Sequence, residues 1–316
     1  MSKTFNIITR RSFLKRSLAI AAGIVLSRAA VFRGAEAITA MEPIKQRIPS
    51  SGEKLPVIGM GSSGTFDVGS DPATRAELTG VIKTLFGYGG KVIDTSPMYG
   101  RAEEVIGDLL KVTGLRKDAF IATKVWTDGR EAGIEQMKRS MALLGTDVID
   151  LMQIHNLRDW KTHLPVLREW KSRGIFRYIG ITTSDGRLND EFARIMRSET
   201  LDFAQFTYNI ADREPEKDLL PIASDRGIAV LINRPFRRND LFDRVRGKPL
   251  PDWADEFDCR SWGQFFLKFI VSHPSVTCVI PATANPGHMK DDMGAGIGRL
   301  PDAAMRAKMA RYFDSL

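Results

Sequence analysis

Residues 91–155 read KVIDTSPMYGRAEEVIGDLLKVTGLRKDAFIATKVWTDGREAGIEQMKRSMALLGTDVIDLMQIH. Short β-rich runs alternate here with helical patterns. Lys91-Val92-Ile93-Asp94 is a strand. Val105, Ile106, Leu109 and Leu110 then form one helical stripe that ends near Gly114, a residue suited to a left-handed C-cap. Phe120-Ile121-Ala122-Thr123-Lys124 is the next strand, and Ile134, Met137, Met141 and Leu144 mark the next helical face. Residues 148–155 form a third strand. Strand–helix–strand units of this kind imply parallel pairing through right-handed crossovers.

The same rhythm extends in both directions. Upstream, residues 44–48 and 54–57 flank Ser50-Ser51-Gly52-Glu53, a hairpin signal, and the second strand reads straight on to Met60. Asp71-Pro72 opens a helix reaching about Gly87. Downstream, strands are expected at residues 178–181, 203–206, 228–232 and 277–280. The helices fall near 160–173, 190–197, 217–226, 261–272 and 302–314. Eight units in roughly 260 residues predict a single closed (β/α)₈ barrel (a TIM barrel) with an N-terminal β-hairpin. The long polar stretch from Arg237 to Asp258, after strand seven, reads as an extended loop on the active face and a candidate lid.

Composition narrows the function. With 43% hydrophobic and 27% charged residues, the 316-residue chain can bury a full core and is not a disordered protein. Its two cysteines, Cys259 and Cys278, exclude a disulfide-stapled scaffold; buried thiols are expected rather than a bridge. The four histidines show no HExxH or HxH pairing, so no metal site is expected. The net charge of +8 suggests nucleic acid until it is located: residues 1–37 hold seven Lys/Arg and one acid, six of the eight net charges. The near-neutral remainder has no electrostatic footprint for a phosphate backbone.

That basic leader has its own logic. Thr9-Arg10-Arg11-Ser12-Phe13-Leu14-Lys15 resembles the twin-arginine export signal, residues 17–26 form a short apolar run, and Ala35-Glu36-Ala37 offers a small-x-small cleavage site. The run is about half the roughly 20 residues of a spanning helix. Residues 1–37 are therefore expected to be a signal peptide read by the twin-arginine machinery, and 38–316 the barrel, with a periplasmic or exported location and no stable membrane insertion of the mature chain. The resemblance implies export of an already folded protein.

Gly59-Met60-Gly61-Ser62-Ser63-Gly64 satisfies G-x-G-x-x-G after a strand, as in an open dinucleotide-binding sheet. The context fails. The next helix opens only after Asp71, and Asp94 lies 30 residues beyond Gly64. Barrel enzymes instead place their chemistry at strand C-termini. There the sequence offers Asp94, Tyr99 in the following loop, Lys124 and His155. A carbonyl reduced by hydride needs a proton at its oxygen. Tyr99 can deliver it, Lys124 held charged by Asp94 would lower the phenol's pKa, and His155 can hydrogen-bond the substrate oxygen.

These residues carry a resemblance. Asp94-Thr95-Ser96-Pro97-Met98-Tyr99-Gly100 is similar to the D-T-A-x-x-Y-G signature of the aldo-keto reductase superfamily, and Ala122-Thr123-Lys124-Val125-Trp126 and Leu151-Met152-Gln153-Ile154-His155 resemble its lysine and histidine strands. The similarity spans about residues 44–295. It implies the (β/α)₈ fold and an NAD(P)H-dependent oxidoreductase interconverting an aldehyde or ketone and its alcohol. In that reading Tyr99 is the general acid, Lys124 and Asp94 tune it, and His155 orients the carbonyl. The resemblance further implies cofactor contacts from Gly61, Ser62, Gln205, Thr182 and Thr183 (in place of Ser-Asn), and Asn233 (in place of a stacking aromatic). Arg234, Thr283 and His288 would reach phosphate, with Lys290 beside them, although Ala282-Thr283 replaces the family's Lys-Ser. NADPH is the expected cofactor and NADH the alternative. Phe66, Met98, Trp126 and Phe236 are candidate pocket walls. A nicotinamide-nucleotide-binding or redox-sensing protein that does not turn over is the competing reading, drawn from those departures.

Overall fold

The computed structural model describes residues 42–316; the twin-arginine motif, the apolar run and the cleavage site lie outside the described residues. Strands β1 (Lys45–Arg47) and β2 (Lys54–Pro56) form the antiparallel hairpin. The chain then leaves the hairpin, contrary to a strand continuing through Met60. Val57 and Gly59 spend their backbone groups on Val279, with Val279 N–H donating to Val57 O at 2.9 Å and Gly59 N–H to Val279 O at 2.9 Å. Eight parallel strands follow in sequential order. They are β3 (Met60–Gly61), β4 (Val92–Asp94), β5 (Phe120–Val125), β6 (Ile149–Ile154), β7 (Phe176–Thr182), β8 (Phe203–Thr207), β9 (Ala229–Asn233) and β10 (Cys278–Val279). The Val57–Gly59 bonds and Gly61 N–H to Pro281 O at 2.8 Å join the first strand to the last, so the sheet closes into the expected barrel.

The two glycines of the dinucleotide-like motif have a structural task at this seam. A Cβ on Gly59 would meet Val92 Cβ at 2.9 Å, and one on Gly61 would meet Ile280 O at 2.9 Å. They let neighbouring strands approach; no helix opens between Gly61 and Pro72.

Helices α1 (Pro72–Gly87), α2 (Ala102–Thr113), α3 (Arg130–Leu144), α4 (Trp160–Ser172), α5 (Asn189–Ser198), α6 (Leu219–Arg226) and α8 (Trp262–Val271) connect the strands, and α10 (Ala303–Asp314) ends the chain. Asp71 caps α1 by accepting from Thr74 N–H, with Pro72 in the first turn, and Gly114 ends α2 at φ 72°. Helix α9 (Pro286–Gly294) was not anticipated. Its nine residues include two glycines, so periodicity is weak, although Asn285-Pro286 is a start signal and Asn285 does cap it. The segment Arg237–Asp258 is long as expected but is not one extended loop. It holds the short helix α7 (Asp240–Arg244) and a 3₁₀ turn at Asp252–Phe257. Leu241, Val245, Ala254 and Phe257 are buried, and Trp253 packs on Phe265 and Tyr312.

Two apolar cores result. The larger lies between sheet and helices. The smaller contains Val92, Phe120, Ala122, Leu151, Tyr178, Phe203, Leu231 and Cys278 together with hairpin residues Ile48 and Leu55, and no helix residue. It is the barrel interior, plugged at its N-terminal end by the hairpin. Tyr178 Oη donates to Ser51 Oγ at 2.7 Å, and Lys91 pairs with Glu53 at 2.9 Å. Lys268, the charge inside the apolar run of α8, is fully buried and donates to the carbonyls of Ile297 and Arg299 at 2.8 Å each. Burial pushes its pKa down to about 8. Both cysteines are free and buried. No helix among the described residues is long and apolar enough to cross a membrane.

Candidate active site

Alternation along the strands builds the site. Side chains two apart share a face, so the residues following Val92, Ala122, Leu151, Phe203 and Leu231 on the inner face are Asp94, Lys124, Gln153, Gln205 and Asn233. The interior therefore changes from apolar at the hairpin end to polar at the C-terminal rim. Strand register brings this layer together, with Gly61 beside Asp94, Lys124 beside Gln153 and Thr182 beside Gln205.

Lys124 and Asp94 form a fully buried ion pair, Nζ to Oδ2 at 2.7 Å, and Nζ also donates to Thr95 O at 2.7 Å. The second carboxylate oxygen of Asp94 accepts from Gln205 Nε2 at 2.8 Å and Gln153 Nε2 at 3.4 Å. Gln205 Oε1 accepts from Asn233 Nδ2 at 3.4 Å, and Asn233 also reaches Thr183 O and Thr207 Oγ1. A chain of amides thus runs from Asn233 to the ion pair. Such a pair adds little net stability, because desolvation offsets its attraction; its effect is to hold a cation at a fixed point in a dry site. Asp94 and Tyr99 keep the Lys124 ammonium charged, raising its pKa against the opposing effect of complete burial.

That ammonium lies 5.1 Å from the centroid of the Tyr99 ring. Tyr99 in turn meets His155 edge-on, ring centroids 5.7 Å apart at 89°. The sequence expectation for the phenol is corrected in sign. Burial is the largest influence and raises the Tyr99 pKa; the Lys124 charge acts downward as expected but does not overcome it. His155 is buried, and burial followed by the Lys124 charge brings it down to about 3, so the imidazole is neutral. Its Nδ1 lies 2.9 Å from Ser96 Oγ.

The other expected residues divide. Ser62 is fully buried beside the seam and its Oγ has no hydrogen-bond partner among the described residues. Thr182 and Thr183 are buried, and Thr183 Oγ1 donates to Arg187 O at 2.5 Å. Arg234 forms an ion pair with Asp185. Thr283 Oγ1 accepts from Asn285 N–H at 3.0 Å, and His288 is exposed on the first turn of α9, its N–H capped by Asn285. Among the proposed walls, Phe66 is corrected: it is fully buried in the outer core, which leaves no face for a ligand. Met98 is 46% exposed, Trp126 stacks under the Arg158 guanidinium at 5.0 Å, and Phe236 packs on Phe242 at 4.9 Å. Gln153 and Ser96 were missed. Gln153 was legible, since it sits two residues before His155 on the same strand face; Ser96 was hidden because only its fold-back shows what it touches.

The sequence pattern of the Aldo/keto reductase family matches residues 57–308. This chain belongs to that family. Its relatives include the aldo-keto reductase YhdN of Bacillus subtilis, 30% identical over 207 residues, which are 58% of this chain and 60% of that protein. The NADH-specific methylglyoxal reductase of Escherichia coli is 28% identical over 246 residues, 66% of this chain and 73% of that protein. In structure, the chain superposes on an aldo/keto reductase from Klebsiella pneumoniae in complex with NADP and acetate, with a TM-score of 0.70 and 22% identity over 86% of this chain and 95% of that one. This aldo/keto reductase is thus an oxidoreductase on a (β/α)₈ barrel.

Proposed function

We propose that this aldo/keto reductase interconverts an aldehyde or ketone with its alcohol at the rim formed by Asp94, Tyr99, Lys124 and His155, using NADPH, with NADH as the alternative cofactor. The carrying observation is the buried Lys124–Asp94 pair, whose ammonium stands 5.1 Å from the Tyr99 ring, with His155 on the edge of that ring.

The residues at the rim suit a nicotinamide nucleotide. Ser62 carries a buried hydroxyl with no partner among the described residues, an arrangement that a ligand's polar group would complete. Gln205 and Asn233 present amides, and Thr182 and Thr183 hydroxyls, while Gly61 adds close backbone approach. Arg234, Thr283 and His288 lie in the segments that would hold its phosphates. The bound nucleotide supplies hydride. The chain supplies the rest. Tyr99 gives its phenolic proton to the carbonyl oxygen, and its raised pKa keeps that proton in place at neutral pH. Lys124, fixed by Asp94, favours the phenolate left behind. Neutral His155 orients the carbonyl through one hydrogen bond. Met98, Trp126 and Phe236 would border the substrate.

Purified protein mixed with NADPH and a panel of aldehydes tests this, and methylglyoxal is a natural first probe given the E. coli relative. Loss of reduced-nicotinamide absorbance that vanishes in Tyr99→Phe supports the reading. Tight nucleotide binding with no turnover of any carbonyl favours a binding or sensing protein instead, a reading supported by Ala282 in place of a lysine and by the full engagement of Gln205 within the amide chain. We further propose that residues 1–37 direct twin-arginine export and that residues 38–316 act as the periplasmic or exported enzyme. Cell fractionation of an Arg10→Lys, Arg11→Lys variant tests this; an unchanged location would overturn it.

A further inference from the structure

The mechanism above needs His155 to donate a hydrogen bond, and a neutral imidazole has only one N–H to give. Which nitrogen carries it is set by what the other nitrogen meets. Here the other partner is Ser96, a fully buried side chain in the loop between Asp94 and Tyr99, at a position where the family signature has alanine.

Ser96 Oγ lies 2.9 Å from His155 Nδ1 and accepts the backbone N–H of Met98 at 3.2 Å. Among the described residues it has no other hydrogen-bond partner. A serine hydroxyl offers one proton and two lone pairs. If Nδ1 donated to Oγ, both lone pairs would be filled and the serine's own proton would point at nothing in a fully buried site. If Oγ donates to Nδ1, its proton is used, Met98 N–H is accepted, and the imidazole proton stands on Nε2. Only the second arrangement satisfies the Ser96 hydroxyl, Met98 N–H and Nδ1 together.

We infer that Ser96 is a positioning residue that fixes His155 as the Nε2–H tautomer, so that the ring offers a donor rather than a lone pair to a substrate carbonyl oxygen. The inference rests on the role assigned to His155 under Proposed function. Among the described residues, the charged and titratable groups that act on or touch the ring are Lys124 and Tyr99. Burial and the Lys124 charge hold the ring neutral, with a pKa of about 3, so one tautomer should persist across the neutral range.

The test is nitrogen NMR of the full chain carrying ¹⁵N-labelled histidine, with the His155 signals assigned by their loss in His155→Gln. The expected wild-type result is a protonated Nε2 and a bare Nδ1, unchanged from pH 6 to pH 8. Ser96→Ala removes one atom from a position that accepts alanine in the family. It should give a tautomer mixture and lower kcat about two- to tenfold, the size of one lost hydrogen bond, with little change in KM. A wild-type ring protonated on Nδ1, or a Ser96→Ala ring in the wild-type tautomer, overturns the inference. Because the spectrum needs no turnover, failure of the protein to reduce any carbonyl would sink the functional reading and leave the tautomer result standing.

Discussion

Replacing Lys124 by methionine separates the two things this residue does. The side chain is fully buried and gives up two short bonds, to Asp94 Oδ2 and Thr95 O, each 2.7 Å. Methionine fills the space but leaves the Asp94 carboxylate, itself 2% exposed, with only the amides of Gln205 and Gln153 as donors. Removing one partner of a buried pair costs about 3–5 kcal/mol. Against a typical total of about 5–15 kcal/mol, the variant should still fold at low temperature. Adding Asp94→Asn to Lys124→Met should recover most of the loss, because the stranded charge goes with it. Activity should not recover. Lys124 is the foremost influence holding the Tyr99 pKa down against burial, so without it the phenolate becomes harder to form and the proton harder to release. A fall in kcat of about 10²–10⁴-fold is expected, the range for loss of general acid–base catalysis. Urea unfolding gives the stability of both variants, nucleotide fluorescence gives the affinity, and single-turnover absorbance gives the chemical step. A chemical step within tenfold of wild type in folded, nucleotide-saturated Lys124→Met would refute the assignment of Lys124 to proton transfer.

Three further outcomes follow from the same geometry. Because burial raises the Tyr99 pKa and brings His155 to about 3, carbonyl reduction should show no titration of either group between about pH 5 and 9, whereas alcohol oxidation, which needs the phenolate, should climb with pH throughout that range; a reduction profile breaking near pH 6.5 would contradict both shifts. The same histidine sets a stability trend: its folded value lies below its unfolded one, so its contribution is complete above about pH 6.5 and is lost towards pH 3, at about 1.4 kcal/mol per pH unit, and denaturation of His155→Gln should show a correspondingly shallower acid slope. Ser62→Ala deletes a buried hydroxyl that has no partner, so the melting temperature should hold or rise while nucleotide affinity drops about three- to tenfold; a loss of stability without a loss of affinity would remove Ser62 from the cofactor site.

The order of strands and helices was legible in the sequence because each barrel unit is local. A strand, a glycine-ended helix and the next strand announce themselves within about thirty residues, as in the run from Lys91 to His155. The ends of those strands are just as local, so Lys124 and His155 could be assigned to one rim before any coordinates. The leader's charge and the cysteines' inability to form a scaffold were equally matters of composition. Three-dimensional packing decided what depends on residues far apart in the chain. The close approach at Gly61 needs Ile280, 219 positions away, which is why a glycine motif that reads as a phosphate loop proves to be a barrel seam. The Tyr99 phenol was expected to be acidified by its lysine, but the degree of burial, a property of the whole fold, outweighs one charge. Phe66 looked like a pocket wall until the outer core enclosed it, and Ser96 looked like an alanine substitute until the loop folded back against His155. Local pattern therefore determined which groups stand at the mouth; desolvation and long-range contact, which no short stretch encodes, decided their protonation and their partners.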